Sequence, residues 1–141
     1  MKALLIDPFL QGIAEIDISG DLNSLYKAID CDTITSLVLD ADADSNEREV
    51  MFLDDIGLER PSQRFFLWAD YAQPLGGRGV VLGIDHKGDN TDTTVALAQA
   101  QAAVRWVDVE FTHYTFDERN DEIFGKPASH IIMTANFRLR K

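Results

Sequence analysis

Asp40, Asp42 and Asp44 alternate in the run Asp40-Ala41-Asp42-Ala43-Asp44-Ser45, the spacing with which an EF-hand loop opens. Calcium coordination of that kind also needs a glycine at the sixth position, for a sharp turn, and a bidentate glutamate at the twelfth. Those positions hold Ser45 and Met51, so the run reads as a solvated hairpin tip. Asp85-His86, with Asp89 and Asp92, offers a carboxylate–imidazole pair. Metal enzymes show a tighter signature, such as two histidines one helical turn apart, and this segment reads as an ordinary polar turn. His113 and His130 are isolated and read as structural or surface residues. Neither a metal nor a cofactor is expected.

Leu75-Gly76-Gly77-Arg78-Gly79 raises the possibility of a phosphate cradle. A P-loop runs from a strand into a helix and carries Lys-Ser/Thr, whereas this run leads into an apolar strand and lacks that pair. Its glycines are better explained by turns, with Arg78 left as a lone anion contact. Phe65, Phe66, Trp68 and Tyr71 have the chemistry of a base-stacking platform, but such platforms sit among cations, and only Arg64 and Arg78 are near. Packing into the core is the expectation for half of them. An exposed aromatic at Phe66, Trp68 or Tyr71, or Arg78 beside them, would mark a partner site. No GxSxG nucleophile elbow occurs, and Cys31 has no histidine nearby in sequence. A single cysteine cannot form an intrachain disulfide, and Cys31 reads as a small buried hydrophobe.

These groups must be held by one domain spanning 1–141, since 141 residues with 45% apolar side chains suffice for a single core. Only Ala3–Ile6 is apolar before Asp7-Pro8, which is too short for a signal segment, and no run approaches a membrane span. A cytoplasmic protein without membrane contact is expected. The net charge of −11 is lopsided: residues 1–60 carry 14 acidic and 4 basic side chains, and residues 61–141 carry 10 and 9. Direct nucleic-acid binding through the first half would set carboxylates against phosphates, so a basic protein partner is the better expectation.

The elements read as follows. Lys2–Ile6 is a strand, and Ile13–Ile18 a second one ending at Gly20. Asp21 caps a helix over Leu22–Ile29, in which Leu22, Leu25, Tyr26 and Ile29 share a face. Thr33–Leu39 and Val50–Leu53 form a hairpin around a polar connector, Asp40–Glu49. Phe65–Trp68 is an aromatic strand, and Gly79–Ile84 a strand for the sheet centre. Thr93–Val95 reads as a short strand and Ala96–Val107 as a helix. Val109–Tyr114 is extended, Asp117–Glu122 a charged loop, Ile131–Phe137 a strand, and Phe137–Lys141 an exposed basic tail. The fold class is α+β: a mixed, mainly antiparallel sheet of five to seven strands, with two helices packed on one face.

Several of these pieces resemble a family of small proteins encoded by bacteriophages and bacterial mobile elements, whose domain has no assigned function. The resemblance is carried by Leu25-Tyr26-Lys27-Ala28-Ile29, Ile34–Leu39 and Asp54-Asp55-Ile56-Gly57-Leu58. It is strongest in the run from Pro74-Leu75-Gly76-Gly77 through Gly83, and Ala102–Trp106 is similar to a later helix motif. It covers roughly residues 22–107. It implies a phage or mobile-element origin and brings no catalytic residues.

The leading functional expectation is a non-enzymatic accessory protein binding a host or phage protein. The acidic residues Asp40, Asp42, Asp44, Glu47, Glu49, Asp54 and Asp55 would face a basic, nucleic-acid-binding partner in the manner of DNA phosphates. One alternative is a small enzyme or small-molecule sensor in which Arg78, His86 and a carboxylate converge. Another is a virion or assembly component that self-associates through the edge of the aromatic strand, Phe65–Trp68.

Overall fold

In the structure, a computed structural model, the backbone is described for residues 1–121 and 126–139, and the side chains for residues 1–109 and 139. Lys2–Asp7 (β1) turns at Pro8 into Gly12–Asp17 (β2), the turn being held by the Asp7 carboxylate, which accepts from the N–H groups of Phe9 (2.9 Å) and Leu10 (3.3 Å). Leu22–Ile29 (α1) is capped as its sequence predicts: Asp21 Oδ1 accepts from Ser24 N at 2.8 Å. Asp30, in the left-handed region at φ 64°, ends it. Ile34–Ala41 (β3) and Arg48–Asp54 (β4) form a hairpin, followed by a 3-10 turn at Gly57–Glu59. Phe65–Trp68 (β5), Leu75–Gly76 (β6), Gly79–Ile84 (β7) and Asn90–Thr91 (β8) lead to the helix Leu97–Ala103 (α2). Two long strands, Val104–Asp121 (β9) and Lys126–Leu139 (β10), end the chain as described.

The fold class is α+β, as expected, with strands predominating. A six-stranded sheet has the order β2-β1-β7-β4-β3, with β8 added beside β7, and a four-stranded sheet has the order β10-β9-β5-β6. All the pairs are antiparallel. β7 is central because Val80, Val81 and Leu82 are fully buried and can be covered only from both sides. On one side, Leu25 and Ile29 of α1 pack with Ala3, Val80 and Leu82. On the other, Leu4, Ile6, Met51, Leu53 and Val81 meet Phe66 and Leu75 of the second sheet and Ala100 of α2. The two helices therefore cover opposite faces of the six-stranded sheet, not one face. Alternation along β1 and β7 makes both faces apolar, so each needs its own cover.

Five further expectations change. The helix expected over Ala96–Val107 stops at Ala103. Val104, Trp106 and Val107 are β-formers, and they pair instead with Trp68, Phe66 and Phe65. Thr93–Val95 is not a strand. The Asp40–Glu49 connector shrinks to a turn over 42–47, with Asp40 opposite Glu49 in the ladder. Asp117–Asp121, expected as loop, and Phe137–Leu139, expected as tail, are paired strand. Arg140, Lys141 and Glu122 lie outside the described residues, and the side chains of His113 and His130 lie outside those described.

The Gly-rich block has a packing explanation. Gly57 and Gly76 meet backbone to backbone, and a Cβ on Gly76 would lie 2.6 Å from the Gly57 carbonyl oxygen. Gly77 holds φ +83°, in the left-handed region. Among the described residues no helix is long and apolar enough to cross a membrane.

Candidate functional site

The ladder between β4 and β7 sets Arg48 opposite Ile84 and Glu49 opposite Gly83. The 42–47 turn and the Asp85–Asp89 turn therefore emerge at the same end of the sheet. β8 pairs Thr91 with Gly83, which brings Asp92 to that end too. The result is an open cleft of about 490 Å³ whose walls include Asp40, Asp42, Glu47, Glu49, Asp85 and Asp92 against a single cation, Arg48.

The turns hold these carboxylates in place. Asp42 Oδ1 accepts from Asp44 N at 2.9 Å, and this N–H, helped by Ser45, holds the Asp42 carboxyl below the usual carboxylate range. Asp85 Oδ1 accepts from the N–H groups of Asp89 (3.0 Å) and Lys87 (2.9 Å); the Asp89 bond is the main reason its carboxyl is also held low. Asp92 Oδ1 accepts from Lys2 N at 2.9 Å, tying the cleft to β1. Both depressed groups are ionised at neutral pH, and the cleft is anionic.

Glu49 has a different role from its neighbours. It is buried, and Oε2 accepts from Thr93 Oγ1 at 2.8 Å while Oε1 accepts from Thr94 N (2.8 Å) and Thr94 Oγ1 (2.7 Å). It clamps β4 to the segment ahead of α2 and is structural first. A second pocket, of about 340 Å³, lies beyond it and is lined by Trp68, Asp40, Asp70 and Gln99.

The acidic residues expected to act together are divided. Asp54 and Asp55 sit at the far end of β4, about 20 Å away at the usual strand rise. Asp54 is buried; it receives Arg60 Nε on Oδ2, and Ile56 N donates to Oδ1 at 3.1 Å. Arg60 also reaches Asp32 at 3.4 Å, so part of the charge at this end is offset. Its guanidinium is pushed up, chiefly by the Asp54 bond. The Cys31 thiol nearby is pushed up by burial first and by the Asp54 charge second, which fits an unreactive thiol. Asp44 is exposed at the hairpin tip outside the cleft wall.

The aromatic and Gly-loop candidates do not form one surface. Phe66 is fully buried, its ring meeting Trp106 edge-on at 6.4 Å, and is a core residue instead of a partner contact. Trp68 is half-buried beside the cleft, and Tyr71 is exposed at the Asp54 end. Arg78 binds Asp7 at 3.2 Å and covers the Phe9 ring at 4.9 Å, pinning the β1–β2 turn. Arg78 precedes β7 and the exposed His86 follows it, so the strand separates them. Asp85 and Asp92 were visible in the sequence as acidic turn residues. Their membership of this site depends on the β4–β7 pairing, which no local pattern announces. Among the described residues no group of three or more His, Cys, Asp or Glu side chains is arranged to hold a metal.

No protein-family model matches the chain, and no curated protein and no solved structure matches it either.

Proposed function

We propose that this protein is a non-enzymatic accessory protein that binds a basic segment of a protein partner in the cleft between the β3–β4 and β7–β8 turns. The observation that carries the reading is the convergence of Asp40, Asp42, Glu47, Asp85 and Asp92 on one concave surface with Arg48 as the sole lining cation. Opposed charge over such a surface speeds encounter and excludes acidic partners. A phage or mobile-element origin, which the sequence resemblance implies, would place the protein in the cytoplasm of a host cell. There the basic partner would be a nucleic-acid-binding protein of host or phage, with carboxylates standing where DNA phosphates would. The small-molecule reading is weaker, because it needs Arg78 and His86 in one pocket and they lie at opposite ends of β7.

The test is titration of an arginine-rich peptide into the native protein and into a variant combining Asp40→Asn, Asp42→Asn and Asp85→Asn. The expected result is binding that weakens steeply with added salt and is lost in the variant. Equal binding by both proteins, or an affinity indifferent to salt, would overturn the reading.

A further inference from the structure

The first four residues of β9 pair with β5, and the remaining fourteen, Asp108–Asp121, pair with β10 alone among the described residues. The outcome is a two-stranded ribbon about 45 Å long at the usual rise. Neither of its strands makes extended contact with any described element other than β5 and each other. An isolated two-stranded ribbon is marginal in water, and three or more strands are needed for a stable sheet. This ribbon also has an apolar sequence: register sets Phe116 opposite Ile131, Tyr114 opposite Met133 and Val109 opposite Phe137. Both outer edges are unpaired among the described residues, so each is a template for another strand.

Charge selects the occupant. Past Asp108, β9 carries Glu110, Asp117, Glu118 and Asp121 against Arg119, whereas β10 carries Lys126 and Arg138 and no acid. We infer that the ribbon is a self-assembly arm, with the β10 edge of one copy adding to the β9 edge of the next. Two arms lying side by side and pointing the same way continue the antiparallel alternation, setting the basic strand against the acidic one. A two-fold arrangement would instead pair β10 with β10 and β9 with β9, opposing like charges. Head-to-tail addition is heterologous, so it propagates to a ring or a filament instead of stopping at a dimer. The inference is independent of the acidic cleft.

The test is sedimentation of the 141-residue chain over a range of concentration and salt. The average mass should exceed that of one chain at least about twofold at low salt, keep rising with concentration as a heterologous contact allows, and fall with added salt. The doubly substituted Ile132→Lys, Thr134→Lys protein should stay at one-chain mass with its body melting unchanged, because edge lysines block strand addition. Direction is read in a Cys31→Ala background by mixing chains carrying Thr115→Cys with chains carrying Thr134→Cys and adding a flexible bis-maleimide. A mixed cross-link exceeding both same-site products supports head-to-tail addition. Dominant same-site products would overturn it in favour of two-fold pairing, and one-chain mass at every concentration would overturn self-assembly altogether.

Discussion

At one end of β4 the buried carboxylate of Glu49 is satisfied by neutral donors, two threonine hydroxyls and a backbone N–H. At the other end the buried carboxylate of Asp54 is satisfied by a cation, Arg60, and one N–H. The same strand thus solves one problem in two ways, with opposite consequences for the surface above. Arg60 also reaches Asp32, so part of the charge at the Asp54 end is offset by a cation. At the Glu49 end the donors bring no positive charge, and Asp40, Asp42, Glu47, Asp85 and Asp92 add theirs against Arg48 as the one lining cation. The proposed charge-based function belongs at the end with the larger acidic excess, and the Asp54 end is read as architecture.

If the Asp54 end is architecture, its closest packing should be its least tolerant feature. Gly76→Ala forces a methyl against the Gly57 carbonyl, and neither backbone can yield without moving the 3-10 turn or β6. The expected loss is about 3 kcal/mol of stability, the upper range for overpacking. Urea unfolding measures it, and a neutral result would mean that the two segments do not approach so closely. Binding of an arginine-rich peptide by the folded fraction should survive this substitution.

Next in size is the contrast between the two carboxylates. Glu49→Ala strands the buried Thr93 hydroxyl and loosens Thr94, an expected loss of about 2 kcal/mol. Asp54→Ala removes an ion pair whose arginine is partly in solvent, with an expected loss of about 1 kcal/mol. Salt separates them: the Asp54 loss should shrink as ionic strength screens Arg60, whereas the Glu49 loss should not shrink, because its hydrogen-bond donors are neutral and salt screens the repulsion from the cleft carboxylates around it. Thermal melts at low and high salt provide the measurement, and parallel salt responses would erase the distinction.

How far the sequence reached follows the same division between local and long-range information. α1 was legible to the residue because the Asp21 cap and the Leu22/Leu25/Tyr26/Ile29 spacing act locally. β7 was legible as central because an unbroken apolar run demands cover on both faces. The end of α2 was not, since Ala and Gln favour helix up to Ala103, and only pairing with β5 decides that Val104–Val107 is strand. At the site, Asp40, Asp42 and Glu47 stood out as a charge run. Grouping them with Asp54 treated sequence proximity as spatial proximity, although a seven-residue strand drives its two ends apart. Asp85 and Asp92 joined through a ladder between residues more than thirty positions apart, which periodicity cannot reveal.

The smallest expected effects on stability fall on the residues to which the proposed binding assigns the largest part. Asp42 is exposed and Asp85 half-buried, and each carboxylate is held by N–H groups of its own turn, so Asp42→Asn or Asp85→Asn should leave the melting temperature almost unchanged while weakening basic-peptide binding. The pH dependence gives the sharper comparison. Each group's folded-state pKa lies below its unfolded value. Whatever these groups add to stability is therefore fully present above the unfolded value and is lost as pH falls through the folded one. The cleft should thus retain the charge of Asp42 and Asp85 on acidification to about pH 4, the ordinary carboxylate value. Calorimetric titration of an arginine-rich peptide across that range should show a smaller loss of affinity in the native protein than in a variant combining Asp42→Asn and Asp85→Asn. An affinity already failing near neutral pH would assign the binding to some other titrating group and remove the cleft's claim over the Asp54 end.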